Sequence, residues 1–223
     1  SLRFQAGVAA QREERAHDLY QLARELSAAI TTDQIQSIVQ RAVKGLFGLP
    51  GTVIMPDVGD RLEMPEKVGS VAPDRGTAQW AFDRGTPAGV GTDTLPGSSH
   101  LYLPMRAPMR VRGVIAIEAP NAGVVGAPEH RRQLDTVAAL AAIALERVHF
   151  VSVAQETLLK IESERLRESL LAALSHDLRT PLTSLIGMAE ALAQRPEQLT
   201  RDQIEVLASM RAQAGRMMRI VTN

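Results

Sequence analysis

The chain has 223 residues, 45% of them hydrophobic and 22% charged, the composition of an ordinary globular protein of one or two domains. Lysine plus arginine equals aspartate plus glutamate at 25 each, which removes any electrostatic reason to expect nucleic acid or an acidic membrane surface as partner. The lack of cysteine excludes disulfides, thiol catalysis and zinc-ribbon sites, and aromatic residues at 3% argue against a stacking platform for single-stranded nucleic acid. No apolar run is expected to approach the ~20 residues of a membrane helix and no signal peptide is visible, so the chain as given reads as soluble.

Residues 1 to about 47 read as helix. Leu19, Leu22, Ala23, Leu26, Ala29 and Ile30 recur at spacings of three and four, among the charged Arg12, Glu13, Glu14, Arg15, Arg24 and Glu25. Thr31-Thr32-Asp33 supplies a break and an N-cap. Ile35, Ile38, Val39, Ala42, Val43 and Leu46 then form a second amphipathic helix, ended by Gly48-Leu49-Pro50-Gly51. Residues 50 to about 126 hold most of the proline and glycine. Short β-compatible runs appear at Thr52–Met55, weakly near Glu66 to Val71, at Leu101–Met105 and at Val111–Ala119, the last two as a hairpin centred on Arg106 to Val111. Asp74 to Arg84, around Trp80 and Phe82, reads as a short helix. Gly85 to Ser99 is rich in Gly, Pro, Ser and Thr and is expected to be a mobile loop.

From Pro128 the pattern is helical for a long way, with no proline or glycine between residues 129 and 180. Leu134, Val137, Ala138, Ala141, Ala144, Leu145, Val148 and Val151 make an apolar stripe. An a/d heptad runs to about Leu158, is disturbed through Ile161, Glu162 and Arg165, and resumes at Leu166 and Leu170, a pattern read as a dimeric coiled coil. Glu162, Glu164 and Glu168 alternate with Arg165 and Arg167 as a solvated helix face. After a turn at Gln194-Arg195-Pro196-Glu197, a further helix carries Ile204, Leu207, Met210, Met217, Met218 and Ile220. Two helices, several short strands with a small helix between, and a long exit helix make an α+β protein with an antiparallel sheet. This order resembles a GAF domain over residues 10 to 150, whose flanking helices form a dimer bundle and whose sheet carries a pocket.

The segment that carries chemistry is Leu170–Leu182. On a helix with Leu174 at zero, Leu178, Leu182, Leu185, Ala189 and Leu192 fall within roughly 80° of one another, and His176 lies at roughly 200°. A histidine on that side faces solvent and is not a satisfied core residue; an idle surface histidine is the remaining plain reading. Its neighbours argue otherwise. Asp177 can take a hydrogen bond from one ring nitrogen and leave the other free to attack. Thr180 shares the histidine's side and can orient a water. Pro181 cannot donate to the Asp177 carbonyl, so the helix is expected to bend or loosen there, at a cost of about 3 kcal/mol in an ordinary helix.

His176-Asp177-Leu178-Arg179-Thr180-Pro181-Leu182 resembles the H-box of the HisKA dimerisation and phosphotransfer family of histidine kinases. The wider run Ser169 to Gly187, and the start Phe4-Gln5-Ala6-Gly7-Val8-Ala9, are similar to the potassium- and turgor-responsive sensor kinases of that family. The resemblance implies that His176 takes the γ-phosphoryl of ATP and passes it to an aspartate of a response-regulator receiver domain. Asp177 would assist as base, Thr180 would serve dephosphorylation of the regulator, and Pro181 would be a bend through which the upstream helix signals.

The resemblance also implies a homodimer whose helical hairpin forms half of a four-helix bundle around Leu174, Leu178, Leu182 and Leu185. Mg-ATP would be bound by a separate catalytic domain, no ATP box being visible here. The expected organisation is a GAF-like sensor domain at 1–126, an exit helix at 127–168 whose first part packs on that domain, and truncated HisKA helices at 169–223. Such a cytoplasmic fragment of a membrane-bound kinase would not autophosphorylate alone. No cofactor-binding residue is read in it: Gly85 to Thr92 is Gly-rich but lacks the Gly-Lys-Ser/Thr of a phosphate loop. His17, His100, His130 and His149 lack ligand spacing, so no metal site is expected. The competing reading is a GAF module that binds a small ligand or only dimerises.

Overall fold

The computed structural model describes residues 16–194 and 200–222. The expected helical residues before 16 and the turn at 195–197 lie outside the described residues. The chain divides into two compact units, Ser1–Val153 and Ala154–Asn223.

The first unit opens with α1 (residues 16–28) and α2 (Thr32–Phe47). Ile35, Val39 and Val43 recur every fourth residue and are wholly buried. Thr31 caps α2 by accepting from the Gln34 N–H at 3.3 Å, and Gly48 ends it in the left-handed region at φ 66°, donating to the Lys44 carbonyl. Next come β1 (Gly51–Ile54), α3 (Arg75–Arg84), β2 (Ala88–Gly89), β3 (His100–Arg106), β4 (Val111–Glu118) and the short α4 (Ala122–Gly126). The sheet order is β1-β4-β3-β2 with every pair antiparallel. It is an α+β fold with an antiparallel sheet, as the order of elements in the sequence predicts.

Helices cover both faces. On one, Leu101, Leu103, Met105, Ile115 and Ile117 interleave with Leu22 and Leu26 of α1, Ile35 and Val39 of α2, and Leu134, Val137, Ala141 and Leu145 of α5 (Pro128–Ala193). On the other, Ile54, Tyr102, Val114 and Ala116 pack with Leu62 and with Ala78, Ala81 and Phe82 of α3. Burying one such Leu, Ile or Phe contributes about 1.5–3 kcal/mol, whereas an exposed ion pair such as Arg41–Glu25 contributes at most ~1. Aliphatic burial therefore holds this unit together. Two charged residues of α5 add direction. Arg147 donates to the carbonyls of Leu26 (3.0 Å) and Ala29 (2.5 Å) at the end of α1, and Glu146 pairs with Arg112 of β4.

Three expectations need correction. Residues Glu66 to Val71 form no strand: Val68 and Val71 make an isolated bridge around a tight turn with Gly69 at φ 74°, and Glu118 holds Ser70 by its N–H and hydroxyl. Gly85 to Ser99 is pinned in place, not a free loop. Ala88 and Gly89 pair with Tyr102 and Leu101, Ala88 and Val90 are buried, and the Thr92 hydroxyl donates to the carbonyls of Gly89 and Thr94. Finally, α5 contains an 18-residue window of mean hydropathy 1.7, apolar enough by length and composition to cross a membrane. Its apolarity has a local cause, since 39% of that window is buried and α5 supplies one wall of the core.

The second unit comprises residues 154–193 of α5 and α6 (Arg201–Thr222). Leu182, Ala189 and Ala214 are buried between the helices, with Ile186, Leu207 and Met218 half-buried. The small side chains of Ala189, Ala193, Ala208, Ala212 and Gly215 leave a groove of about 470 Å³ there. The leucine stripe read from the sequence is only partly covered within one chain: Leu174, Leu178 and Leu185 remain 57, 49 and 45% exposed.

Gly89 sits at φ 97°, where an added Cβ would run into the His100 carbonyl, so Gly89→Ala should lower unfolding free energy in urea by roughly 1–3 kcal/mol. The hydroxyl and backbone N–H of Thr77 hold the Asp74 cap below the ordinary carboxylate range. Asp74→Ala should therefore cost about 1 kcal/mol at neutral pH. That difference should persist down to the unfolded value near 3.8 and fade as pH drops through the lower folded-state value, in urea melts across pH.

Candidate functional site

His176 lies on α5 within the second unit. Its side chain is 80% exposed, and Nδ1 stands 3.2 Å from Oδ1 of Asp177, itself 81% exposed. With the proton on Nδ1 donated to that carboxylate, the lone pair on Nε2 points away unencumbered. A pair this exposed orients the ring more than it stabilises the fold.

Thr180 is also exposed, one turn on and on the same side by helical spacing. α5 continues through Pro181 to Ala193, so the expected bend does not end the helix; what the proline removes is a donor for the Asp177 carbonyl. Two residues later the Thr183 hydroxyl donates to the Arg179 carbonyl at 2.8 Å, a back-bond of the kind that bends helices. The sequence reading gave Thr183 no role, although its spacing of seven from His176 sets it on the same face.

The other histidines are dispersed. His100 is wholly buried, its Nε2 donating to the Val68 carbonyl (3.1 Å) and its Nδ1 accepting from Ser99 (3.0 Å). His130 donates to the Val124 carbonyl at 2.8 Å, while His17 and His149 are exposed. No group of three or more metal-ligating side chains converges among the described residues. On the α3 side of the sheet, Tyr102 is buried and its hydroxyl accepts from the Asp74 N–H at 2.6 Å; burial pushes that phenol above its ordinary value. That face is filled by the chain's own side chains.

The chemistry available at His176 is nucleophilic. An imidazole with one nitrogen tied to a carboxylate and the other open can attack an electrophilic phosphorus, and the carboxylate stabilises the imidazolium that forms.

Comparison with known proteins fits these features. Residues 166–223 match the His Kinase A (phospho-acceptor) domain and residues 31–147 match the GAF domain. The chain is 38% identical over 192 residues to the sensor protein KdpD of Escherichia coli, covering 86% of this chain and 22% of that protein. It is 29% identical over 196 residues to the KdpD of Clostridium acetobutylicum, covering 83% and 22%. It thus spans about a fifth of the length of these relatives. Its fold matches the crystal structure of the native GAF domain of the potassium sensor histidine kinase KdpD from Escherichia coli with a TM-score of 0.59 and 33% identity, over 63% of this chain and 99% of that one. The chain belongs to the GAF domain family, and continues into a phospho-acceptor segment in the order found in KdpD sensor histidine kinases.

Proposed function

We propose that His176 is the phospho-acceptor of a two-component sensor kinase. Nε2 attacks the γ-phosphorus of Mg-ATP held by a separate catalytic domain, the bond to the ADP oxygen breaks, and Asp177 draws the proton from Nδ1 as charge builds on the ring. The phosphoryl group then passes to an aspartate of a response-regulator receiver domain, and Thr180 positions a water for the reverse, dephosphorylating reaction. The observation that carries this reading is an exposed imidazole fixed at Nδ1 and open at Nε2, on the side away from the leucine stripe. Because ATP is the donor, we read the chain as a cytoplasmic segment of a longer, membrane-bound protein. No cofactor is assigned to residues of this segment itself, and by itself it is expected not to autophosphorylate.

The half-exposed Leu174, Leu178 and Leu185 support a homodimer, since a second copy would cover the stripe and complete a four-helix bundle. The alternative is a GAF ligand-binding or dimerisation module with no catalytic role in this chain; the side chains packed under α3 argue against a ligand on that side.

With a HisKA-compatible ATP-binding domain supplied in trans, the chain should acquire acid-labile phosphate from radiolabelled ATP. His176→Gln should abolish that label, and Asp177→Asn should slow it by roughly 10²-fold; undiminished labelling of His176→Gln would end the assignment. Leu178→Lys combined with Leu185→Lys should convert a dimer to a monomer by light scattering while the helical circular dichroism is retained.

A further inference from the structure

Helices α2 and α3 each stop at a left-handed glycine, Gly48 and Gly85, whose N–H returns to a carbonyl of the last turn. α1 has no such residue. It ends at residue 28 and runs into Ala29-Ile30-Thr31, which leaves its last carbonyls to be satisfied from elsewhere. Two side chains complete this corner. Gln34 of α2 accepts from the Ile30 N–H at 2.8 Å, and Arg147 of α5 donates to the carbonyls of Leu26 and Ala29.

The residue before Arg147 holds the same turn of α5 to the sheet. Glu146 pairs with Arg112 of β4, which a bulge turns toward α5: Pro104 pairs with Val114 and Arg106 with Val111, so Met105 opposes both Arg112 and Gly113. That pair is buried, its side chains 10 and 9% exposed, and breaking it would strand a charge away from water. Arg147 is different. It is an exposed residue, although Leu26 and Ala29 are buried, and both of its bonds leave from one nitrogen, Nη2. Water can take the place of either partner, so this grip can be made and released while the fold stands.

The two grips share one turn of a stiff rod. From Arg147 to His176 α5 contains neither proline nor glycine. The apolar contacts of Leu22 and Leu26 with the core are non-directional and tolerate a small slide. A bond to a backbone carbonyl is directional and fixes a position along the helix axis. A slide of one helical turn, about 5.4 Å, would carry Arg147 past both carbonyls.

We propose that Arg147 is a positioning residue for His176, a releasable clutch between α1 and α5. Engaged, it sets the axial position of α5 by the end of α1. Released, it leaves α5 to answer to the sheet alone through Glu146. This role rests on the phospho-acceptor reading of His176.

The test is the initial rate at which the whole 223-residue chain takes acid-labile phosphate from radiolabelled ATP, with the ATP-binding domain supplied in trans. Arg147→Met keeps the aliphatic stem and releases the clutch. Ala28→Gly, at an exposed site, loosens the turn of α1 that Arg147 grips. Each should change the rate in the same direction by roughly threefold or more. The double variant should go no further than Arg147→Met alone, because both act on one contact. Arg147→Lys retains a donor and should return the rate to within about twofold of the unaltered chain. The melting temperature of Arg147→Met should stay within about 3 °C of the unaltered chain. An unchanged rate in Arg147→Met overturns the proposal. So do effects of the two substitutions that multiply, or a rate change that follows a lowered melting temperature and is not relieved by Arg147→Lys. An unaltered chain that takes no label at all overturns the phospho-acceptor reading, and this role with it.

Discussion

The first unit depends on one constraint: the β3–β4 hairpin must be dry on both faces. From His100 to Met105 and from Gly113 to Ile117 every residue is buried, so no face of these strands is left to water. A four-stranded antiparallel sheet usually leaves one side wet. Here α1, α2 and the first part of α5 close one side, and α3 with the segment around Leu62 and Val68 closes the other. The order of the chain follows from that demand. The helices that arrive first and last in the unit share one face, and the crossover between β1 and β2 must fold back over the opposite one.

The two units rest on opposite balances of energy. The sheet unit is held by burial. The α5–α6 hairpin buries only Leu182, Ala189 and Ala214 among its described apolar residues, and leaves a row of leucines and methionines half in water. Within that lightly packed unit, the chemistry proposed for His176 rests on orientation alone. Neither burial nor a strong charge holds its ring, only a carboxylate on the next residue. Such a group suits a reaction in which the partners bring the phosphate, the metal and the dry environment with them.

Much of this was legible in the residues. The four-residue spacing in α2, its Thr31 and Gly48 caps, and the hairpin runs on either side of Arg106 each have a local cause, and the structure follows them. What was not legible depends on tertiary contact. Gly85 to Ser99 has the composition of a loose loop, yet Ala88 and Gly89 gain a strand partner only once Leu101 and Tyr102 are in place. Glu66 to Val71 alternates weakly, and its backbone closes on itself because Glu118, far along the chain, captures Ser70. The bulge at Arg112 and Gly113 breaks the period of two, so strand alternation puts Arg112 on the wrong face. The apolar stretch of α5 shows the reverse: hydropathy alone cannot separate a helix that faces lipid from one that faces a sheet.

Glu146 and Arg147 are consecutive on α5, about 100° apart around its axis. One reaches β4 through Arg112 and the other reaches the end of α1. A helix tethered at one azimuth can roll about that tether. Tethered at two azimuths at the same height, it loses that freedom. This pair of side chains therefore works as a key, fixing the rotational setting of this part of α5 against β4 and α1.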